Sequence, residues 1–160
     1  MADFIFLAAA GAWRAYLDRA ANNDDPNAVV VAMLMEAVET DAALNDRTDF
    51  ANILAQGGNT ESAASGYARI TLDDTQITPQ APDAANNRVT YDIDDIVFAA
   101  LVSGNNAVKL ILGIDFDSTG GTDANIIPIA AIDVSISPDP NPVTIAIDSA
   151  GIFRATAPIA

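Results

Sequence analysis

The sequence lacks cysteine and histidine, and lysine occurs once, as Lys109. The chain therefore has no thiol nucleophile, no imidazole base and no zinc site of the Cys/His type. Disulfides are excluded as well, so the fold depends on its hydrophobic core. No G-x-S-x-G, Walker or dinucleotide-binding pattern occurs. We therefore expect neither an enzyme nor a bound cofactor.

Basic residues are scarce: 7 Lys and Arg stand against 22 Asp and Glu, and the formal net charge is −15. Such a surface repels nucleic acids and anionic membranes, because both are bound through Lys and Arg. We expect neither as a partner. Solubility is the ordinary reason for such acidity, and a partner with a basic face, or bound cations, is the alternative. No apolar run reaches the roughly 18 residues that indicate a membrane span.

The apolar residues, 51% of the chain, occur in short runs between Gly, Asn, Asp and Pro. From Tyr67 onward, strand-length segments recur at intervals of about ten residues, which predicts a mainly β, antiparallel sandwich or barrel-like fold. We expect one domain over 1–160, with an N-terminal arm or helix over 1–27 and a β-rich body over 28–160. The predicted strands are 67–72, 88–93, 96–102, 108–116, 126–136, 143–147 and 152–155.

Two further elements are predicted before these strands. The uninterrupted apolar run over 28–35 predicts a strand buried on both faces at the centre of a sheet, with a helix as the alternative. Thr48 or Asp49 is placed to cap a short helix over 49–55. The segment 41–47 is polar and carries no prediction.

The N-terminal segment contains the candidate interface. Trp13, Tyr16 and Leu17 recur at helical spacing and predict a helix over 12–21, with an extended arm laid on a neighbouring chain as the alternative. Large aromatic side chains dominate protein contacts. The interface candidates are Phe4, Phe6, Trp13 and Tyr16. For Trp13 and Tyr16, ordinary core packing is an equally open interpretation.

One acidic loop has calcium-loop-like spacing, and its candidate ligands are Asp115, Asp117 and Asp123. The twelfth position, where an EF-hand has a bidentate Glu, is Ile126. A Gly-rich strand connection with solvated Asp side chains is therefore the favoured interpretation, and we expect no metal.

A second acidic cluster contains Asp92, Asp94 and Asp95. Neighbouring carboxylates of this kind serve as acid and base in glycosidases. Most of the few aromatic residues lie in apolar runs, so none is evident for stacking on sugars. A polar edge between two strands is the favoured interpretation.

Several short motifs are spread over most of the chain. They are Asn59-Thr60-Glu61, Gly66-Tyr67-Ala68-Arg69, Gly120-Gly121-Thr122-Asp123 and Gly151-Ile152-Phe153-Arg154. This series resembles a family of small virion structural proteins of tailed bacteriophages, described as capsid decoration, head-fibre or minor tail proteins. The resemblance implies a β-sandwich-like domain present in many copies and no catalytic residues. The Ala-rich N-terminal stretch departs from the family pattern.

The resemblance implies turn geometry, core packing and buried ion pairing as the roles of the matching residues, which are Gly66, Tyr67, Arg69, Gly151, Phe153 and Arg154. We expect a capsid decoration (cement) protein, a homo-oligomer such as a trimer. It would be assembled in the host cytoplasm and would bind the major capsid protein on the outer shell of the virion. The alternative is a tail, baseplate or host-binding fibre protein that contacts other tail proteins. A small glycan hydrolase is a third hypothesis.

Overall fold

A six-stranded antiparallel sheet forms the centre of the molecule. The computed structural model describes residues 2–86, 88–149, 151 and the backbone of 153–156. In chain order, the strands are β1 (Phe4–Ile5), β2 (Val29–Ala37), β3 (Thr60–Glu61), β4 (Ile70–Leu72), β5 (Ile77–Pro79), β6 (Arg88–Ile93), β7 (Ile96–Phe98), β8 (Ala107–Asp115), β9 (Ile127–Ile136), β10 (Val143–Ile145) and β11 (Phe153–Thr156). The central sheet has the order β1-β9-β8-β2-β3, and β4 also pairs with β2.

One face of this sheet is covered by a second β layer. This layer consists of the three-stranded sheet β11-β6-β5 and the two-stranded sheet β10-β7. Helix α1 (Trp13–Ala21) covers the same face of the central sheet. Buried side chains from α1, β2, β6, β7 and β8 form one continuous core between the layers. The predicted mainly β, sandwich-like fold is confirmed, and the described strands do not close into a barrel.

The other face of the central sheet is covered by helices α2 (Asp41–Asn45) and α3 (Phe50–Leu54) together with Phe6. Alternate β2 side chains therefore enter different cores: Val30 lies in the sandwich core, and Met33 lies in the helix-covered core. The prediction of a central strand buried on both faces is confirmed.

Two of the three α-helices in the described residues were predicted from the sequence. α1 occupies the predicted 12–21 segment and packs on its own chain, and α3 is capped by Asp49, whose Oδ1 accepts from the backbone N–H of Asn52 at 2.7 Å. α2 was not predicted, because it is one short turn that buries only Leu44 and shows no apolar periodicity.

Strand boundaries differ from the predictions mainly at turns. The segment predicted over 67–72 is a strand only from Ile70, because the backbone N–H of Tyr67 donates to Ala64 O in a turn. The segment predicted over 96–102 ends as a strand at Phe98, and β5 was not predicted.

The ladder between β8 and β9 is irregular at Gly113. Leu112 pairs with Ala130 whereas Gly113 pairs with Pro128, so the extra residue lies on β9. Gly113 also leaves space for the Phe50 ring: a Cβ at this position would lie 2.5 Å from Phe50 Cε1.

We expect Gly113→Ala to lower the free energy of unfolding by about 1–3 kcal/mol, because the methyl group overpacks the contact with Phe50. The matched control is Gly57→Ala, whose added Cβ meets nothing within 4 Å. This control should stay within about 0.5 kcal/mol of wild type. Urea unfolding followed by circular dichroism measures both variants, and equal stabilities would contradict the packing argument.

Candidate functional site

Motif residues from distant parts of the chain meet around the guanidinium group of Arg69. Its Nε and Nη2 donate to the two carboxylate oxygens of Glu61, each at 2.7 Å. Its Nη1 donates to Asp123 Oδ1 at 2.5 Å. The Tyr67 hydroxyl donates to Glu61 Oε1 at 2.8 Å and accepts from the backbone N–H of Leu34 at 3.1 Å. The network ties β2 and β3 to the loop that contains Asp123.

Arg69 and the Tyr67 hydroxyl keep their protons near neutral pH. The hydrogen bond to Glu61 raises the pKa of Arg69 above its usual range. Burial raises the pKa of the Tyr67 hydroxyl above its ordinary value, and the neighbouring Glu61 carboxylate raises it further. The ion-pairing role expected for Arg69 is therefore confirmed.

The glycines of the same motifs provide turn geometry. Gly66 has φ of +93°, and a Cβ there would lie 2.2 Å from the carbonyl oxygen of Ala100. Gly151 has φ of +92°, a left-handed conformation that other residues adopt with strain. The expected turn role is confirmed for both glycines, whereas the side chains of Phe153 and Arg154 lie outside the described residues.

Lys109 forms a second ion-pair centre, which the sequence analysis did not identify. Its side chain is fully buried, and its Nζ lies 2.7 Å from Asp133 Oδ1 and 2.9 Å from Asp41 Oδ1. The same Nζ donates to the backbone carbonyl of Ala2 at 3.4 Å and lies 5.2 Å from the centre of the Phe4 ring. Lys109 thus fastens the N-terminal segment and α2 onto the central sheet.

The electrostatics of this centre favour the charged pair. Burial by itself lowers the Lys109 pKa, but hydrogen bonds to Asp133 and Asp41 outweigh it and leave the pKa above its ordinary value. The hydrogen bond from Lys109 in turn lowers the Asp41 pKa. The sequence did carry a signal for the burial of Lys109. Lys109 and the buried Ile111 are two residues apart in strand β8, so both side chains lie on the same face of the sheet.

The aromatic interface candidates pack within the chain. Phe6 is 0% exposed and Trp13 is 6% exposed, so neither side chain offers a surface to a partner. Phe4 packs against Phe6, and Tyr16 packs edge-on against Phe116. Core packing is therefore the correct interpretation of Trp13, and the interface prediction is wrong for Phe6 and Trp13 in the folded chain.

Of the three calcium candidates, Asp115 and Asp117 line one small depression, whereas Asp123 is held by Arg69. Asp115 is 6% exposed, and its Oδ1 accepts from the backbone N–H of Asp117 at 3.0 Å. Asp117 accepts from the Thr119 hydroxyl at 2.7 Å. Within the described residues no group of three or more acidic side chains is arranged to hold a metal ion. The expectation of solvated side chains is wrong for Asp115.

An apolar groove opens where the sandwich core reaches the β1 edge of the central sheet. It has a volume of about 540 Å³. Its lining residues are Asp3, Phe4, Ile5, Ala130, Ala131, Ile132, Ile145, Ala146, Ile147, Asp148 and Gly151. A second depression of about 420 Å³ shares Ile147 with the groove and contains the acidic cluster Asp92, Asp94 and Asp95.

The acidic cluster lies where β6 turns into β7, as expected for a polar strand edge. Asp95 Oδ1 accepts from the backbone N–H of Ile147 at 2.8 Å. The Oδ1 atom of Asp92 is buried and has no hydrogen-bond partner within the described residues. No aromatic residue is among those lining this depression in the described part of the chain, so a stacking platform for a sugar is not part of it.

Comparisons of this chain with protein-family models, curated proteins and solved structures found no match. Among the helices in the described residues, none has the length and apolar character needed to cross a lipid bilayer.

We expect Arg69→Ala to lower the free energy of unfolding by about 1–3 kcal/mol, because it leaves the partly buried carboxylates of Glu61 and Asp123 without their hydrogen-bond donor. Arg69→Lys should lose part of this energy, since an ammonium group does not reproduce the bidentate fork. The control is Arg14→Ala, which removes a solvent-exposed i,i+4 pair with Asp18 and should cost less than about 0.5 kcal/mol. Chemical denaturation measures all three, and equal losses for Arg69→Ala and Arg14→Ala would contradict the argument.

We expect Lys109→Met to change how stability depends on pH. The ion pair contributes fully above the ordinary Asp41 value of 3.8, and this contribution is lost as pH falls through the lower folded-state pKa. It also contributes fully below the ordinary Lys109 value of 10.5 and is lost as pH rises through the higher folded-state pKa.

Unfolding free energies measured in urea across this pH range should be flatter for Lys109→Met than for wild type at both ends. At neutral pH the variant should be less stable by about 1–3 kcal/mol. Arg14→Met serves as the control, with a wild-type profile expected. If the unfolding free energy of Lys109→Met falls as steeply as that of wild type at acid and alkaline pH, the ion pair is not the source of this pH dependence.

Proposed function

We propose that this protein is a non-catalytic structural component of a tailed-phage virion, a decoration (cement) protein that binds the outer surface of the capsid. Its proposed partner is the major capsid protein. Its proposed mode of action is adhesion through many symmetry-related copies, each making a modest contact.

The observation that carries this proposal is the spatial convergence of the motifs on which the resemblance rests. Glu61, Tyr67, Arg69 and Asp123 come from three separate motifs and meet in one hydrogen-bonded network. Short sequence matches that arise by chance have no reason to converge. The convergence supports the interpretation that the motifs specify one shared fold, and with it the virion role.

The distribution of charge supports a basic partner. Each of the six basic side chains in the described residues lies in a salt bridge with an acidic side chain: Arg14, Arg19, Arg47, Arg69, Arg88 and Lys109. Apart from the buried Asp115, the carboxylate residues are exposed or partly exposed. Their field attracts a positively charged face and favours rapid association with it.

We expect the purified protein to bind isolated capsid shells that lack it, with a copy number comparable to that of the major capsid protein. Binding should weaken as salt is raised, because screening reduces attraction between exposed charges. Co-sedimentation of protein and shells over a salt series measures both. Shells with the protein bound should also retain DNA to a higher temperature than shells without it.

The rival assignments give different outcomes in the same material. A tail or fibre protein would leave shells unoccupied and would be found in a few copies per virion at the tail. A glycan hydrolase would clear cell-wall substrate in a zymogram. A location in the particle away from the capsid surface in a cryo-EM reconstruction would contradict the decoration role.

A further inference from the structure

We propose that the apolar groove at the β1 edge is the docking site for an extended segment of another protein, in which apolar side chains alternate and lysine or arginine flanks them. The inference deepens the proposed function and rests on it for the identity of the partner as a capsid protein. The chemistry of the docking segment follows from the groove itself.

The shape of the groove fits side chains of a peptide. Ile5, Ile132, Ile145 and Ile147 line it and are only partly buried. They belong to the set of residues packed against the sandwich core, so an inserted apolar side chain would extend that core. A volume of about 540 Å³ lies within the range of sites that bury a bound group.

The position of the groove at a sheet edge suits an extended partner. β1 is the outermost strand of the central sheet and has only 2 residues. β1 pairs only with Ala130 and Ala131 of the ten-residue strand β9, so the β9 edge beyond Ala131 has no paired strand in the described residues. An added strand can pair with that edge, the mode in which alternate side chains enter pockets.

Charge selects the class of partner. Asp3 lines the groove, and Asp92, Asp94 and Asp95 line the adjoining depression, which shares Ile147 with it. None of these four forms a salt bridge within the described residues. A lysine or arginine in the depression would compensate these carboxylate charges.

The same charge disfavours a second copy of this chain as the occupant. The net charge of −15 makes two copies repel each other. The basic side chains of the described residues are already held in salt bridges. A second copy therefore offers none of these cations to the acidic residues beside the groove, which form its rim. A basic segment of a different protein is attracted by the net negative charge and brings its own cations to the acidic residues.

The test uses a short synthetic peptide in which valine alternates with lysine. We expect saturable binding, measured by fluorescence anisotropy, with methyl NMR shifts centred on Ile5, Ile132, Ile145 and Ile147. A peptide with glutamate in place of lysine and one with serine in place of valine should each bind at least about tenfold more weakly, because each lacks one of the two recognition features.

Two variants test the site. Ala146 is exposed and lines the groove, so Ala146→Tyr should obstruct it, and Asp94→Lys should reverse charge at the rim. Each should weaken peptide binding by about tenfold. The matched control is Asp24→Lys, an equal charge change at an exposed residue that lines neither depression, and it should have a much smaller effect.

The same variants, applied to capsid shells, separate this inference from the proposed function. Groove variants that bind shells as wild type does would overturn the docking site and leave the decoration role standing. Peptide binding in the groove without shell binding by wild type would overturn the decoration role and leave the groove standing. Methyl shifts located elsewhere, or self-association through the groove, would overturn the inference.

Discussion

The pairing of β2 with β8 is the interaction on which the rest of the structure depends. Seven consecutive residue pairs join these strands, from Val29 with Asp115 to Met35 with Lys109. Both strands are buried on both faces, so each face needs its own cover. The second β layer and α1 cover one face, and α2, α3 and the N-terminal segment cover the other.

The need to cover both faces of the central sheet explains where two of the few basic side chains lie. Lys109 lies on the helix-covered face of β8 and holds Asp41 at the start of α2 against the sheet. Arg69 holds the loop containing Asp123 beside β3. Lys109 and Arg69 are therefore held inside the molecule and are not available to a partner. The acidic character of the surface follows from the excess of 22 acidic over 7 basic residues.

Sequence periodicity located the elements whose burial is regular. β2 follows from an uninterrupted apolar run, and α3 follows from an Asp cap placed before Phe50 and Ile53. α2 buries a single side chain, so no periodic signal exists for it. β4 begins only at Ile70, after a turn in which the backbone N–H of Tyr67 donates to Ala64 O. The loops at Ser65 and Ser103, which are distant in sequence, are joined by backbone hydrogen bonds that no local pattern predicts.

The sequence by itself determined that thiol and imidazole chemistry are excluded, that the surface charge is negative and that the fold is mainly β. These properties follow from composition and from the alternation of apolar and polar residues, which can be read from residues close together in the chain. Only the tertiary structure decided which carboxylates meet Arg69 and Lys109, that Trp13 packs inside, and that a groove opens at the β1 edge. Those outcomes depend on contacts between residues far apart in the chain, and local patterns carry no information about such distances.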